Sequence, residues 1–152
     1  EPYRRQRQMC IRDSVDIGLE HDVLLVTEQS YTYDTGIEAA LYCQVYYSID
    51  GSVKDLGSVE SEGTAYPVSY GQGCIYTAGN HSVSKYVIDE TTYQLICEQK
   101  DEVSYDADGT ASYIRSYPGM DKEKSSTEKA FNEAMEAYHE AVPISFSYGA
   151  SE

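Results

Sequence analysis

Short alternations of apolar and polar residues, separated by turn residues, run through most of this chain. In residues 41–49 every second side chain is apolar or aromatic, which places Cys43 and Tyr47 together on one face of a predicted strand. Asp50-Gly51 then predicts a two-residue hairpin turn, because both central positions of such a turn need a positive φ. The pattern is typical of consecutive antiparallel strands joined by tight turns.

The same pattern predicts about eight strands in sequence order. Pro67 restricts its own segment to a sheet edge or a strand start, because proline cannot donate a backbone hydrogen bond. Asp108-Gly109 predicts a further hairpin turn. Strands that are consecutive along the chain are expected to be neighbours in the sheet. The predicted strands cover residues 22–28, 41–49, 52–60, 66–70, 74–78, 82–88, 93–99, 102–105 and 110–116, with a short terminal strand at 144–148.

One amphipathic helix is predicted at about residues 125–142. Ser125 and Glu128 have the spacing of a capping box, and Pro143 ends the helix. The polar residues 121–124 are predicted to be a linker. An apolar stripe at helical spacing is expected to pack on the sheet, and it consists of Phe131, Ala134, Met135, Tyr138 and Val142.

These elements predict a mainly β (α+β) fold. We expect an antiparallel meander of about eight strands with the helix covering a face or an edge of the sheet. A propeller-like arrangement is the alternative, since a hairpin every 20 or so residues would suit part of a propeller. No apolar run approaches the roughly 18 residues of a membrane-spanning helix, so no transmembrane segment is predicted.

Residues 1–14 share no periodicity with the rest of the chain and hold four of its 11 basic residues. Residues 9–14, Met-Cys-Ile-Arg-Asp-Ser, resemble the translation of a transposon end used in sequencing libraries. We therefore expect residues 1–14 to be translated adapter read-through, disordered and not native, and the natural N-terminus to be missing. A basic arm or the start of a signal peptide is the alternative, but no apolar stretch of signal-peptide length comes after it. Residues 15–152 then form a single domain.

Charge and composition narrow the classes of function. The 152 residues carry a net charge of −15, which becomes −17 without residues 1–14. An acidic chain without a basic cluster repels phosphate backbones, so nucleic acid is excluded as a partner. Tyrosine is unusually frequent, with 16 Tyr against two Phe and no Trp. Tyrosine combines an apolar ring with a polar hydroxyl, which suits half-exposed sheets.

The tyrosines also provide a candidate ligand site. Tyr42 and Tyr46 lie on the same face of one predicted strand. Aromatic rings pack on the apolar face of a sugar ring, and acidic side chains accept hydrogen bonds from its hydroxyl groups. These two residues are therefore candidate glycan-binding residues. The alternative is that the tyrosines fill a sheet face against cross-strand partners or the helix.

Two acidic segments have some features of calcium loops. Asp16, Glu20 and Asp22 are candidate metal ligands because calcium prefers carboxylate and carbonyl oxygens, although the start of a plain strand explains them as well. Asp106 and Asp108 are explained by hairpin-turn chemistry. Neither segment has the full ligand spacing of an EF-hand.

No other motif predicts a cofactor or a catalytic centre. Cys43, Cys74 and Cys97 have no metal-ligand spacing and are expected to be buried, inert thiols, with a disulfide or a reactive thiol as alternatives. Proximity of Cys74 to His81 would be needed for a nucleophile. Glu136 and His139 form a Glu-x-x-His pair, but carboxylate-bridged metal sites need that motif on two helices. No cofactor is therefore predicted.

Several segments carry a resemblance to a known group of proteins. They are Asp16-Ile17 leading into Asp-Val-Leu-Leu-Val at 22–26, Gly-Thr-Ala-Tyr-Pro at 63–67, Ala-Gly-Asn-His-Ser-Val-Ser-Lys-Tyr at 78–86, Tyr-Asp-Ala-Asp-Gly at 105–109, and the final helix. In these segments the chain resembles the C-terminal regions of uncharacterised secreted lipoproteins of Gram-positive gut bacteria. That family often opens with an Asp-x-Asp-x-Asp-Gly repeat, from which Gly18 and Glu20 depart. The resemblance implies an extracellular protein attached to the cell surface.

We therefore expect a non-catalytic extracellular module that binds a glycan or a cell-surface protein, or that supports a larger lipoprotein. An enzyme is the competing class, namely a hydrolase with a carboxylate pair that the sequence does not locate. Such an enzyme would place two carboxylates about 5–10 Å apart in a cleft, whereas a binding module would present a shallow aromatic strip. A third alternative is an incomplete fragment of a larger, propeller-like protein.

Overall fold

The computed structural model describes residues 11–34 and 36–148. Within them the chain forms a five-stranded sheet, a seven-stranded sheet, a two-stranded ribbon and one α-helix, and all strand pairs are antiparallel. This confirms the predicted mainly β fold with one C-terminal helix. The elements are β1 (Ile11–Val15), β2 (Val23–Thr27), β3 (Tyr31–Thr32), β4 (Glu38–Ala39), β5 (Tyr42–Ile49), β6 (Ser52–Glu60), β7 (Ser69–Gly71), β8 (Cys74–Gly79), β9 (Ser82–Asp89), β10 (Gln94–Tyr105), β11 (Ala111–Tyr117), a 3₁₀ turn (Pro118–Met120), β12 (Lys122–Ser125), α1 (Glu128–Glu140), β13 (Val142–Pro143) and β14 (Ser147–Tyr148).

The strand order contains the long meander that the sequence predicts. In the seven-stranded sheet, β7 to β12 are neighbours in chain order, and β13 returns to pair with β7. The five-stranded sheet has the order β14-β1-β2-β5-β6. At the β5–β6 hairpin, Asp50 and Gly51 have φ values of 53° and 81°, as a tight antiparallel turn requires. At the β10–β11 hairpin, the carboxylate of Asp106 accepts hydrogen bonds from the backbone N–H groups of Asp108 and Thr110.

The two sheets share one hydrophobic core. In the five-stranded sheet, alternate side chains of β2 and β5 point inward, including the fully buried Leu25 and Val45. Ile75 and Ile88 of the seven-stranded sheet belong to the same cluster. Two layers of β-sheet thus face each other across residues that the period-two pattern places inside.

The helix forms a third layer on the opposite face of the seven-stranded sheet. Tyr138 of α1 packs with Tyr76, Ala78 and Val83 in a second cluster, and its hydroxyl donates a hydrogen bond of 2.6 Å to the backbone carbonyl of Pro67. Because β8 lies between the first sheet and the helix, all six of its residues are buried. No helix in the described part of the chain is long and apolar enough to cross a membrane.

The predicted helix limits are wrong at both ends. The N-terminal cap is Thr127, whose hydroxyl accepts a hydrogen bond of 3.1 Å from the backbone N–H of Ala130, so Ser125 and Glu128 form no capping box. The helix ends at Glu140, and Val142 is exposed in β13 instead of completing the apolar stripe. The predicted linker is mostly β12, in which lysine side chains alternate along an exposed sheet edge.

Two predicted strands are in fact one. The sequence pattern separates residues 93–99 from 102–105, but β10 is continuous over 12 residues. Its register against β9 shifts between Cys97 and Gln99, where a bulge lets the strand stay paired with both neighbours. Near Pro67 the paired segment is shorter than predicted and begins at Ser69.

The structure places residues 11–14 in the fold, contrary to the expected disorder. They form β1 with Val15, paired with β2 from Ile11 opposite Thr27 to Val15 opposite Val23. Ile11 is 5% exposed in the shared core. Burial of its apolar side chain on a paired strand offsets the conformational entropy lost when these residues become ordered. The expectation for residues 1–10, including Cys10, lies outside the described residues.

One side chain of β1 is poorly suited to its position. Asp13 shares a face with Ile11 and Val15 and lies opposite the fully buried Leu25. Burial raises the pKa of the Asp13 carboxyl above its ordinary value. The ionised carboxylate is therefore disfavoured in the folded state.

Replacing Asp13 with valine is expected to raise the free energy of unfolding at neutral pH, because the variant no longer buries an ionised carboxylate. The gain is about 1 kcal/mol, since solvent screens much of the cost of desolvating that carboxylate. The pKa of Asp13 is higher when folded than when unfolded. The penalty is therefore present above the folded-state pKa and fades as the pH falls toward the ordinary value of 3.8. Urea unfolding of both proteins from neutral to acidic pH measures this gain. A gain that grew on acidification would contradict the argument.

Candidate functional site

An open groove of about 800 Å³ lies on the outer face of the five-stranded sheet. Both candidate glycan-binding residues, Tyr42 and Tyr46, lie in its wall. The groove runs across β2 and β5 and is bounded by the segments around β3 and Thr64. Its lining residues are Val26, Thr27, Glu28, Gln29, Ser30, Tyr31, Leu41, Tyr42, Gln44, Tyr46 and Thr64.

The alternation in β5 positions the two tyrosines. Cys43 and Val45 are buried in the core, so the residues between them point away from it. Tyr42 is 45% exposed, and Tyr46 is half-buried opposite Leu24 of β2. The tyrosine rings therefore form a strip along the strand, with Gln44 between them.

A directed chain of hydrogen bonds connects this strip. The hydroxyl of Tyr42 donates to Oε1 of Gln44 at 3.0 Å, and Nε2 of Gln44 donates to Oδ1 of Asp55 at 2.8 Å. The backbone N–H of Gly57 donates to the same oxygen at 2.9 Å. Hydrogen bonds from Gln44 and Gly57 lower the pKa of Asp55, so its carboxylate is ionised. The chain fixes the side-chain orientations and leaves Tyr42 with free acceptor capacity.

Tyr31 closes one end of the groove. Its hydroxyl donates a hydrogen bond of 2.9 Å to the backbone carbonyl of Thr64. Burial, and to a smaller extent Tyr33, raises its pKa to about 12, so it stays protonated at physiological pH. On the β3–β4 ribbon, Glu38 accepts hydrogen bonds of 2.8 Å from the hydroxyls of Ser30 and Thr32. This anchors the ribbon that carries Tyr31.

Sequence reasoning did not identify Tyr31, Gln44 or Glu28 as groove residues. The period-two pattern of β5 contains the signal for Gln44, since it lies between the two candidate tyrosines. Tyr31 belongs to a strand of only two residues, which carries no periodicity. Its position depends on a contact with Thr64, 33 residues along the chain.

The structure does not bring the candidate metal ligands together. Oδ1 of Asp16 accepts a hydrogen bond of 2.8 Å from the backbone N–H of Gly18, which has a φ of 88° in the β1–β2 turn. Glu20 and Asp22 are exposed later in the same loop. Within residues 11–34 and 36–148, no three His, Cys, Asp or Glu side chains form a group that could hold a metal ion. Metal binding by Asp16, Glu20 and Asp22 stays a prediction without geometric support.

The three described cysteines are free thiols. Burial raises the pKa of Cys43 to about 12, and it also raises the pKa values of Cys74 and Cys97. Thiols in this state are poor nucleophiles at neutral pH. Cys74 and His81 lie at opposite ends of β8, since His81 comes after the strand in the β8–β9 turn. They cannot act as a nucleophile and its base.

The carboxylates singled out so far lie at separate places on the protein. Glu28 is the single carboxylate in the groove lining. Asp101 lines a cavity of about 120 Å³ under α1, where it is paired with Arg115. Glu133 and Glu136 lie on the exposed surface of α1, together with the exposed His139 of the Glu-x-x-His motif. The groove therefore combines tyrosine rings with the carboxylate of Glu28.

Comparison with known proteins assigns neither a family nor a function to the chain. No protein-family model matches the chain, and no curated protein or solved structure shows significant similarity to it.

Proposed function

We propose that this domain is a non-catalytic carbohydrate-binding module. The observation that carries the proposal is the tyrosine strip of Tyr42 and Tyr46 along an open groove of about 800 Å³. A groove of this size accommodates a few sugar rings, and its openness at the sheet surface suits a chain that extends beyond it.

Sugar binding uses the two kinds of group that this groove combines. The C–H groups on one face of a pyranose ring pack against an aromatic ring, while its hydroxyls need hydrogen-bond partners in the plane of the sugar. Tyr42 and Tyr46 supply the rings, and Gln44 and Glu28 supply polar groups beside them. Since the hydrogen-bond chain through Gln44 is formed within the protein itself, little side-chain entropy is lost on binding.

A hydrolase is the less favoured candidate. Both retaining and inverting mechanisms need two carboxyl groups facing each other across the glycosidic bond. Glu28 is the carboxylate of the groove lining, and the two carboxylates of β6 beside the tyrosine strip, Asp55 and Glu60, lie outside that lining. The general acid of such an enzyme also needs a raised pKa. Burial raises the pKa of Asp13, but Asp13 faces the core and does not line the groove.

Location at the cell surface is part of the proposal. It is supported by the resemblance of residues 16–146 to the C-terminal regions of secreted lipoproteins of Gram-positive gut bacteria. Recovery of the complete gene from an independent assembly tests this directly. A signal peptide with a lipobox upstream of Val15 is the expected result, whereas a continuous cytosolic reading frame would overturn the proposed location. The same sequence decides whether residues 1–14 are adapter read-through and whether this domain belongs to a larger propeller-like protein.

We expect the purified domain to bind oligosaccharides on a glycan array, and we expect Tyr42→Ala and Tyr46→Ala each to weaken binding about tenfold or more. Loss of one stacking ring removes about 1–2 kcal/mol of contact energy. Isothermal titration calorimetry with the best array ligand measures the change. Tyr105→Ala is the matched control, because Tyr105 is 56% exposed and lies on β10, away from the groove.

The outcomes separate the candidate functions. Equal loss in the Tyr105 variant would mean that the groove is not the site. Absence of binding to every glycan would overturn the carbohydrate proposal and leave a protein ligand or a supporting role. Release of reducing ends from a bound oligosaccharide would favour the hydrolase.

A further inference from the structure

The tyrosine strip is bordered by carboxylates. Glu60 of β6 lies directly opposite Tyr42, and Asp55 lies directly opposite Tyr46. Glu28 lines the groove together with Tyr42 on the β2 side. Directly opposite residues of an antiparallel pair share a face, so Glu60 and Asp55 lie beside the rings on the outer surface. A ligand stacked on the strip therefore meets negative charge on both sides.

Positive charge is scarce at the same surface. The groove lining contains no lysine or arginine among the described residues. Lys54 of β6 lies opposite the buried Tyr47 and so shares the other face of the strand. On the outer face, Arg12 of β1 lies opposite Val26, which itself lies opposite Gln44. Arg12 is thus two strands away from the tyrosine strip, whereas Asp55 and Glu60 are on the strand adjoining it.

The groups in the groove favour a cation in two further ways. The faces of tyrosine rings attract positive charge through the ring quadrupole. The hydrogen-bond chain runs from Tyr42 through Gln44 to Asp55, so it ends on an acceptor that is held ionised. A ligand ammonium group can donate to carboxylate and phenol oxygens, whereas a ligand carboxylate would meet repulsion.

We infer that the groove selects glycans that carry free, protonated amines, namely oligomers of N-deacetylated hexosamine, over neutral N-acetylated and acidic glycans. The inference rests on the proposed function, since it names the class of sugar that the same groove binds. It uses the tyrosines for ring contact and the flanking carboxylates for selectivity.

Two oligosaccharides of the same length and linkage test the selectivity. Tetramers of β-1,4-linked glucosamine and of N-acetylglucosamine are compared by calorimetry at about pH 6, where amines are protonated and carboxylates are generally ionised. We expect the glucosamine tetramer to bind about tenfold more tightly, since each exposed ion pair contributes modestly and several can form along the tetramer. The preference should shrink on raising the salt concentration.

Variants separate charge selectivity from sugar binding itself. Glu28→Gln together with Glu60→Gln should reduce the preference to about twofold, because glutamine removes the negative charge, so the glucosamine tetramer loses more affinity than the acetylated tetramer. Glu90→Gln is the matched control, because Glu90 is an exposed carboxylate in the β9–β10 turn. Tyr42→Ala should weaken binding of both tetramers.

Each outcome decides one question. Equal binding of the two tetramers, or a preference that survives the double substitution, would overturn the inference while the carbohydrate proposal stands. Tighter binding of an acidic oligosaccharide such as a hyaluronan tetramer would also overturn it. Absence of binding by all oligosaccharides, on the array and in calorimetry, would overturn the proposed function as well.

Discussion

Replacing Arg115 with methionine is expected to lower the free energy of unfolding by about 3–5 kcal/mol, because it leaves a buried carboxylate without its cation. Asp101 is 2% exposed, and its Oδ1 accepts a hydrogen bond of 2.8 Å from Nε of Arg115. Nε2 of Gln99 donates to the other carboxylate oxygen at 2.9 Å, which satisfies Asp101 without neutralising it. Asp101 in turn raises the pKa of Arg115. Urea unfolding followed by circular dichroism measures the loss.

The double variant Asp101→Leu, Arg115→Met is the control for this prediction. The two residues lie directly opposite each other on β10 and β11, and Val83 lies opposite Asp101 on β9. Apolar side chains at both positions would pack beside Val83. The double variant should therefore recover most of the stability that the single variant loses. A loss below about 1 kcal/mol in the Arg115 variant would show that water reaches Asp101.

Removal of residues 1–14 is expected to lower the free energy of unfolding by about 3–5 kcal/mol. The deletion removes most of β1, which lies between β14 and β2 and pairs with both. It takes Ile11 out of the core and leaves Val23 and Leu25 beside an unpaired strand edge. Burial of one large aliphatic side chain contributes about 1.5–3 kcal/mol, and the lost ladder hydrogen bonds add to this.

The matched comparison is a protein that begins at Ile11 and so keeps the whole of β1. The difference in stability between the two shortened proteins measures the strand itself, whatever the origin of its sequence. Thermal unfolding by calorimetry provides the values. Equal stability of the two shortened proteins would mean that β1 does not stabilise the fold. That result would agree with the expectation that residues 1–14 are not native.

The local sequence pattern was sufficient to predict strands whose two faces differ clearly in polarity. In β5 the alternation of buried Cys43 and Val45 with outward Tyr42 and Tyr46 could be derived from the sequence, and with it the tyrosine strip. Hairpin turns could be located as well, because Asp50-Gly51 requires a backbone conformation that few other residues adopt.

The errors arose where tertiary contacts decide the structure. The polar residues 122–125 have no apolar face, yet they form β12 because β11 offers them an open edge. The bulge in β10 keeps Gln99 and Asp101 facing α1, an arrangement that depends on the helix and not on the local pattern. Thr127 caps the helix although Ser125 fits the motif, because Ser125 is already paired with Ile114.

The candidate site was partly accessible for the same reason. Tyr42 and Tyr46 lie on one strand, so their proximity can be deduced from period two alone. Glu60 becomes their neighbour only once the β5–β6 register is known, and Tyr31 only once the ribbon is anchored at Thr64. The carboxylates that border the groove are therefore a property of the sheet and not of any one segment.

The lysine-bearing edge strand β12 also has a consequence for behaviour at high protein concentration. An exposed sheet edge is a template on which another chain can add a strand and begin to aggregate. All four residues of β12 are exposed, and Lys122, Glu123 and Lys124 would have to lose hydration if a second chain paired there. The seven-stranded sheet thus ends in a strand that discourages further growth, which favours a protein that stays dispersed.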